Sequence, residues 1–447
     1  MTTADDLLRW LQAGPACDGV TVTGWRCEVA EGTGLRVGIR ASEVGGPYEG
    51  PAGAVRLAGT LDLHWSDGSI TRANLDRGAV IAPDAQLAAW RAAAVHERTG
   101  SLPPLAGPAV LPAVETFDPA VDRAVTADPG HMLGLLGRVR TTSLAGDIRR
   151  LDATLRASSG RRLVATSRGF RADWPETACS LELWADEAAG AGYARRALPT
   201  DADLARMTGE TGLLAPQLRA PTLLPPDARG VLFLPNVVED LVARLLLPNL
   251  AGRAIRDGRS PFTRADLDDG TLVMRPDLHL VVDTTLPLEL ATAPCSPDGV
   301  PAGRVALIAA GRLASPLLDQ TTALAFGLPP TPVARGRPLA LLVGRMVGHA
   351  PPLEYLDGAA AVGLLKTGVI VRDLPGLHTQ SPRRGSYALV APDAQAVVRG
   401  APGGRCAVQL QGSLLDHLSR PSTRLVAVPG VRSPGLLVLD GVSLRPA

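Results

Sequence analysis

The chain has 447 residues, 46% hydrophobic and 20% charged, enough to bury one or two sizeable cores, and two domains are expected. Its 45 basic side chains against 44 acidic ones leave a formal charge of +1, without the electrostatic footprint of a dedicated nucleic-acid binder. Neither a membrane span nor a secretory leader is expected. No apolar run reaches the length of a span, and the start MTTADDLLRWLQ carries early acids rather than a basic region. Five cysteines, Cys17, Cys27, Cys179, Cys295 and Cys406, stand far apart without a CxxC pair. That pattern argues against a disulfide framework or a thiolate zinc site and fits a reducing cytoplasm. Lys366 is the only lysine, so the arginines reflect compositional bias and are expected to be mostly solvated surface.

Val20 to Ala30 and Leu35 to Ala41 alternate apolar and polar residues around Gly32-Thr33-Gly34, which predicts two strands and a turn. Val55 to Ser66 meets Ser69 to Asn74 across Asp67-Gly68, a two-residue hairpin signal, for four antiparallel strands in all. Pro83-Asp84 starts a helix carrying Leu87, Trp90, Ala94 and Val95 on one face. After a proline-rich loop come short strands at Arg150 to Ala157, Arg161 to Thr166, Cys179 to Ala185 and Ala191 to Ala197, then a helix from about Asp201 to Thr208. Arg219 to Gly230, with three prolines, a closing glycine and no apolar period, reads as a connector.

Beyond it, Val231 to Pro235 predicts a buried strand and Val237 to Leu247 a helix packed on a sheet. Strands follow at Leu278 to Thr284, Arg304 to Ala309, Leu339 to Arg345, Gly368 to Arg372, Ser386 to Ala391, Ala394 to Arg399, Cys406 to Gln411 and Leu436 to Val442. Brief helices are expected near Gly358 to Leu365 and Ser413 to Ser419. The reading is α+β: an N-terminal α+β domain of antiparallel strands and helices over residues 1–220, a linker at 221–230, and a C-terminal β-rich domain with few helices over 231–447.

Common catalytic signatures are missing: no GxxxxGK[ST], no GxGxxG after a strand, no GxSxG and no HExxH. The seven histidines, His64, His96, His131, His279, His349, His378 and His417, never fall close enough in sequence to share one helix face. His96-Glu97 opens like a zincin motif, but Gly100 and Ser101 stand where the second histidine belongs.

The second half resembles the PmbA/TldE side of the TldD/PmbA family in an ordered series. It opens with VLFLPNVVEDLVARLLLPNLAG (Val231 to Gly252), GRSPF (Gly258 to Phe262) and LHLVVDTTLP (Leu278 to Pro287). APCSPDGVPAGRVALIAAGRLASPLLDQTTALAFG (Ala293 to Gly327) is the most specific piece. KTGVIVRDLPGLHTQSPRRGSYALVAPDAQAVVRG (Lys366 to Gly400), VQLQGSLLDHL (Val408 to Leu418) and RSPGLLVLDGVSL (Arg432 to Leu444) follow. In the first half, RRLVATSRGFRADWPETACSLELWA (Arg161 to Ala185) carries a weaker likeness.

The resemblance implies a subunit of a two-subunit metallopeptidase acting on unfolded or leader-bearing peptides held in extended form. TldD-type subunits carry HExxxH on the helix after the first strand of this domain. The ligand positions fall here on Ala243, Arg244 and Pro248, which cannot hold a metal. The expectation is therefore no catalytic or metal residue and no cofactor in this chain, with a metal ion, zinc by type, in a TldD-like partner. The acidic turn of the family is degraded to Ser296-Pro297-Asp298-Gly299, and Asp298, Gly299, Gly376, Leu377 and His378 are candidate substrate-binding positions. A heterodimer with a TldD-like subunit is weighed against a homodimeric peptide-binding scaffold without hydrolase activity. Hydrolysis by Cys295, near Asp298, is the third reading, and it lacks a local histidine as base.

Overall fold

The computed structural model describes residues 3–45, 50–96, 102–186, 189–332, 341–342, 356–428 and 434–447. The expected strand at Leu339 to Arg345 lies outside these residues except for Leu341–Leu342, and His349, Gly100 and Ser101 lie outside them altogether. The fold is α+β.

In chain order the first half comprises α1 (Thr3–Gln12), β1 (Val20–Arg40), β2 (Ala52–Trp65), β3 (Ser69–Leu75) and α2 (Asp84–Ala92). It continues with α3 (Pro119–Thr126), α4 (Gly130–Leu144), β4 (Leu151–Thr166), β5 (Arg171–Ala185), β6 (Ala189–Arg195) and α5 (Asp201–Arg219). The long strands form one antiparallel sheet in the order β3-β2-β1-β4-β5-β6, with two-residue strands at Ala16–Cys17, Glu43–Val44 and Val95–His96 added.

The hairpin at Asp67-Gly68 forms as read, with Gly68 at φ 83°. The turn expected at Gly32-Thr33-Gly34 does not form, nor the break at Ser158 to Gly160; β1 and β4 run straight through as one 21-residue and one 16-residue strand. Gly32 and Gly160 are paired across these strands, and a Cβ at either would lie 2.4 Å or 2.1 Å from the other strand's backbone. Glycine serves there for close approach of two chains rather than for a turn. Sequence reading also passes over α1, α3 and α4, and stops α5 at Thr208. The helix continues through Gly209, Gly212 and Pro216 because Leu204, Met207, Thr211, Ala215 and Leu218 keep one buried stripe.

The two faces of this sheet are covered differently. Odd-numbered residues of β1 face helices at both ends: Cys27 and Val29 with α1, and Leu35, Val37 and Ile39 with α3, α4 and α5. Even-numbered residues, Arg26 and Glu28 among them, point to the opposite face, toward the C-terminal half.

The second half contains β7 (Gly230–Phe233), α6 (Pro235–Leu241), β8 (Leu280–Asp283), β9 (Arg304–Ala309), β10 (Arg312–Leu313), α7 (Gln320–Phe326), β11 (Leu341–Leu342) and α8 (Gly358–Leu365). It closes with β12 (Gly368–Val371), β13 (Ser386–Val398), β14 (Ala401–Ser413), α9 (Leu414–Ser419), β15 (Arg424–Val426), β16 (Gly435–Val438) and β17 (Ser443–Pro446). A seven-stranded sheet has the order β15-β16-β7-β12-β13-β14-β17, in which only β7 and β12 are parallel; a four-stranded sheet has the order β10-β9-β8-β11.

The two strands read at Ser386 to Ala391 and Ala394 to Arg399 are one strand with an irregularity after Ala391. β7, β8, β12 and β16 are buried on both faces, which is why they read as continuous apolar runs. Their core includes Val231, Phe233, Val369, Val371, Leu436 and Val438, each contributing about 1.5–3 kcal/mol by burial. The proline-rich connector is pinned: Thr222 N donates to Arg405 O at 2.7 Å and Arg405 N to Ala220 O at 3.0 Å, so it lies along β14.

Candidate functional site

The helix that the resemblance aligns with the metal-motif helix of TldD-type subunits starts at Pro235, whose missing N–H costs nothing in the first turn. Over Val242–Leu246 it widens into a π turn, with Leu247 N donating to Val242 O, before resuming over Leu247–Leu250. Pro248 supplies no N–H to the carbonyl four residues back, and the wider turn accommodates that loss. Leu245, Leu246 and Leu247 remain buried, Arg244 is exposed and Ala243 half-buried. Methyl, guanidinium and pyrrolidine groups donate nothing to a cation. Among the described residues no three His, Cys, Asp or Glu side chains converge as a metal site. The described residues of this helix do not fit a metal ion.

Around the C-terminal ends of the parallel pair β7 and β12 lies a polar cluster. Leu234 N donates to Val371 O at 3.0 Å and Asn236 Nδ2 to Arg372 O at 2.7 Å, tying the start of α6 to the end of β12. Arg372 Nη2 donates to Gln395 Oε1 at 2.6 Å, and Gln395 Nε2 to Gln217 Oε1 at 2.6 Å, a link from the second sheet to α5. Burial lowers the Arg372 guanidinium to about 10, only partly opposed by Glu210. Asp240 is raised above the usual carboxylate range by burial, with Arg244 pulling it down and Asp373 pushing it up. This cluster can bind a polar chain by hydrogen bonds and charge, but it holds no nucleophile paired with a base.

The candidate substrate-binding residues fall in two places, packed on different sheets. Asp298 is 1% exposed. Arg26, itself buried on the even face of β1, donates from Nη1 to Asp298 Oδ1 and from Nη2 to Asp62 Oδ2 of β2. Gly299 sits at φ 77°, and a Cβ there would lie 2.7 Å from Ala106 and 3.3 Å from Phe170. The acidic turn is thus a clamp between the halves rather than an open wall: its carboxylate is consumed by a buried guanidinium. Gly376, Leu377 and His378 belong to a turn against β13, where Leu377 is buried in the core and His378 is exposed.

Arg196 makes a second clamp, donating from Nε to Glu289 O at 3.0 Å and from Nη2 to Leu290 O at 3.0 Å and Thr292 O at 2.8 Å. Between the clamps, Arg162 donates two bonds to Glu176, at 3.0 and 2.9 Å, and a third to Glu28. Burial works against its charge, yet the two carboxylates hold it well above its ordinary pKa. Arg26 and Arg196 are buried exceptions among arginines that are mostly exposed, as expected. Alternation in β1 did place Arg26 opposite the apolar face, but nothing local indicates that the other half covers it.

Cys295 is buried beside Phe170 and Trp174, and burial pushes its thiol up to about 12, the reverse of what a nucleophile requires. The other buried pair is Tyr387 and His417, joined at 2.8 Å between Oη and Nε2. Burial lowers His417 to about 4 and raises Tyr387.

Residues 228–441 match the family described as PmbA/TldA metallopeptidase C-terminal domain. These residues carry the C-terminal domain of the PmbA/TldD family. Similar solved structures extend the likeness in fold to the whole chain. TldE from Thermococcus kodakarensis aligns with TM-score 0.77 at 15% identity, over 99% of this chain and 100% of that one. A protein described as a candidate modulator of a DNA gyrase from Thermotoga maritima gives 0.71 at 14%, over 99% of both chains. One described in the same way from Bacteroides thetaiotaomicron gives 0.72 at 13%, over 100% of this chain and 98% of that one. No curated protein matches by sequence. Among the described residues no helix is long and apolar enough to cross a membrane.

Proposed function

We propose that this chain is the PmbA/TldE-like subunit of a peptide-processing metallopeptidase complex, whose TldD-like partner supplies the metal. The observation that supports it is the helix begun by α6 and its π turn, which keeps its apolar face in the core and offers no metal-binding side chain at Ala243, Arg244 and Pro248, where the resemblance places the ligands of TldD-type subunits. The polar cluster at the ends of β7 and β12 lies beside that helix. In this reading it lines a shared chamber and positions an unfolded or leader peptide by hydrogen bonds, without attacking it.

Co-expression with a TldD-like protein from the same cell tests the proposal. A stable complex is expected, with peptidase activity only in the mixture and zinc-type metal following the partner. Failure of an active TldD-like protein to associate, with a self-contained homodimer instead, supports the scaffold reading.

A further inference from the structure

In the first sheet, β3 pairs with β2 only over Gly59 to His64. The remaining outer edge of β2, Ala52 to Ala58, pairs with no strand among the described residues, although its inner edge is fully paired with β1. Exposed edges of this length are ordinarily guarded by lysine, proline or a bulge, because their free amides and carbonyls template another strand. This one carries Ala52, Gly53, Ala54, Val55, Arg56, Leu57 and Ala58, and Val55 is 68% exposed.

Beside it the helical cover of the odd face is interrupted. An open groove of about 500 Å³ runs between the helical layers, lined by Val55, Leu57, Thr33, Ile81, Arg56 and Arg77 among others. Ile81 is 57% exposed. Arg56 and Arg77 are both exposed and form no ion pair among the described residues, whereas Arg161 in the same groove is paired with Glu31, Asp5 and Asp173.

We infer that the Ala52 to Ala58 edge is a docking site for an extended segment of a partner protein, added as a strand, with acidic side chains alternating with apolar ones. Main-chain pairing supplies the affinity, Val55, Leu57 and Ile81 receive the apolar positions on the odd face, and Arg56, paired with Gly32 on the even face, receives the carboxylates, with Arg77 at the rim of the groove adding positive charge. A second copy is a poorer occupant. Antiparallel pairing of this edge with itself about Val55 brings the two Arg56 side chains to diagonal positions on one face, where like charges repel.

The test uses the full chain and two labelled peptides, one alternating Glu and Val and the other Lys and Val, with fluorescence anisotropy and amide exchange as readouts. The acidic peptide is expected to bind at least about ten-fold more tightly at low salt, slowing exchange at residues 52–58. The doubly substituted variant Arg56→Glu, Arg77→Glu changes only exposed side chains and should reverse the preference. The inference fails if neither peptide binds, if both bind equally, or if the variant leaves the preference unchanged. It also fails if the free chain is a dimer whose 52–58 amides are already protected.

Discussion

The two large sheets solve the same burial problem in opposite ways. The first is built of long amphipathic strands, with one face packed on helices and the other laced with charge where it meets the C-terminal half. The second is built around four-residue strands buried on both faces, and its interior is almost wholly aliphatic. The apolar sheet carries its stability in packing, which tolerates exchange of similar volumes. The charged face carries specificity: a buried guanidinium accepts only one arrangement of its partners, so it fixes how the halves meet.

The sharpest way to break that contrast is to remove the acidic end of the clamp. Asp298→Ala leaves Arg26 buried with Asp62 but without its cross-half carboxylate, and should cost about 3–5 kcal/mol in urea denaturation. Unfolding should also separate into two transitions. A single transition with little loss would show that the clamp is incidental.

A pH titration of stability probes the apolar side. His417 is held neutral, with a folded pKa of about 4 below an ordinary 6.5, so stability is complete above pH 6.5 and falls as acid protonates the unfolded chain first. The loss across that window should approach about 3 kcal/mol, and His417→Gln should flatten the slope.

Smaller effects sharpen the picture of the first sheet. Gly160→Ala forces a Cβ against the backbone at Glu31 and should cost about 1–3 kcal/mol, as overpacking does. An unchanged melting temperature would return that glycine to an ordinary flexible role. Thr200→Ala removes the capping box at the start of α5, where Thr200 Oγ1 accepts from Asp203 N at 3.1 Å. It should cost about 1 kcal/mol, read from the denaturation midpoint.

Much of the C-terminal half was legible because its signals are local. Fully buried strands read as apolar runs, Asp357 and Ser413 cap their helices from the preceding residue, and the ordered likeness to PmbA/TldE needs no three-dimensional information. The hairpin at Asp67-Gly68 was equally local, since its turn demands a positive φ. Gly32 and Gly160 misled for the same reason: glycine marks a turn or a close approach, and only the partner strand decides which.

The amino-acid sequence by itself determined the α+β class and the alternation that assigns each strand two faces. Only the tertiary structure decided what covers each face. Arg26, Arg196 and Asp298 look like surface in one dimension, because the groups that desolvate and pair with them come from sequence as distant as the other half of the chain. The energy of a buried charge depends on those partners and not on its neighbours in sequence, so the clamp and the unguarded edge of β2 become visible only once the chain is folded.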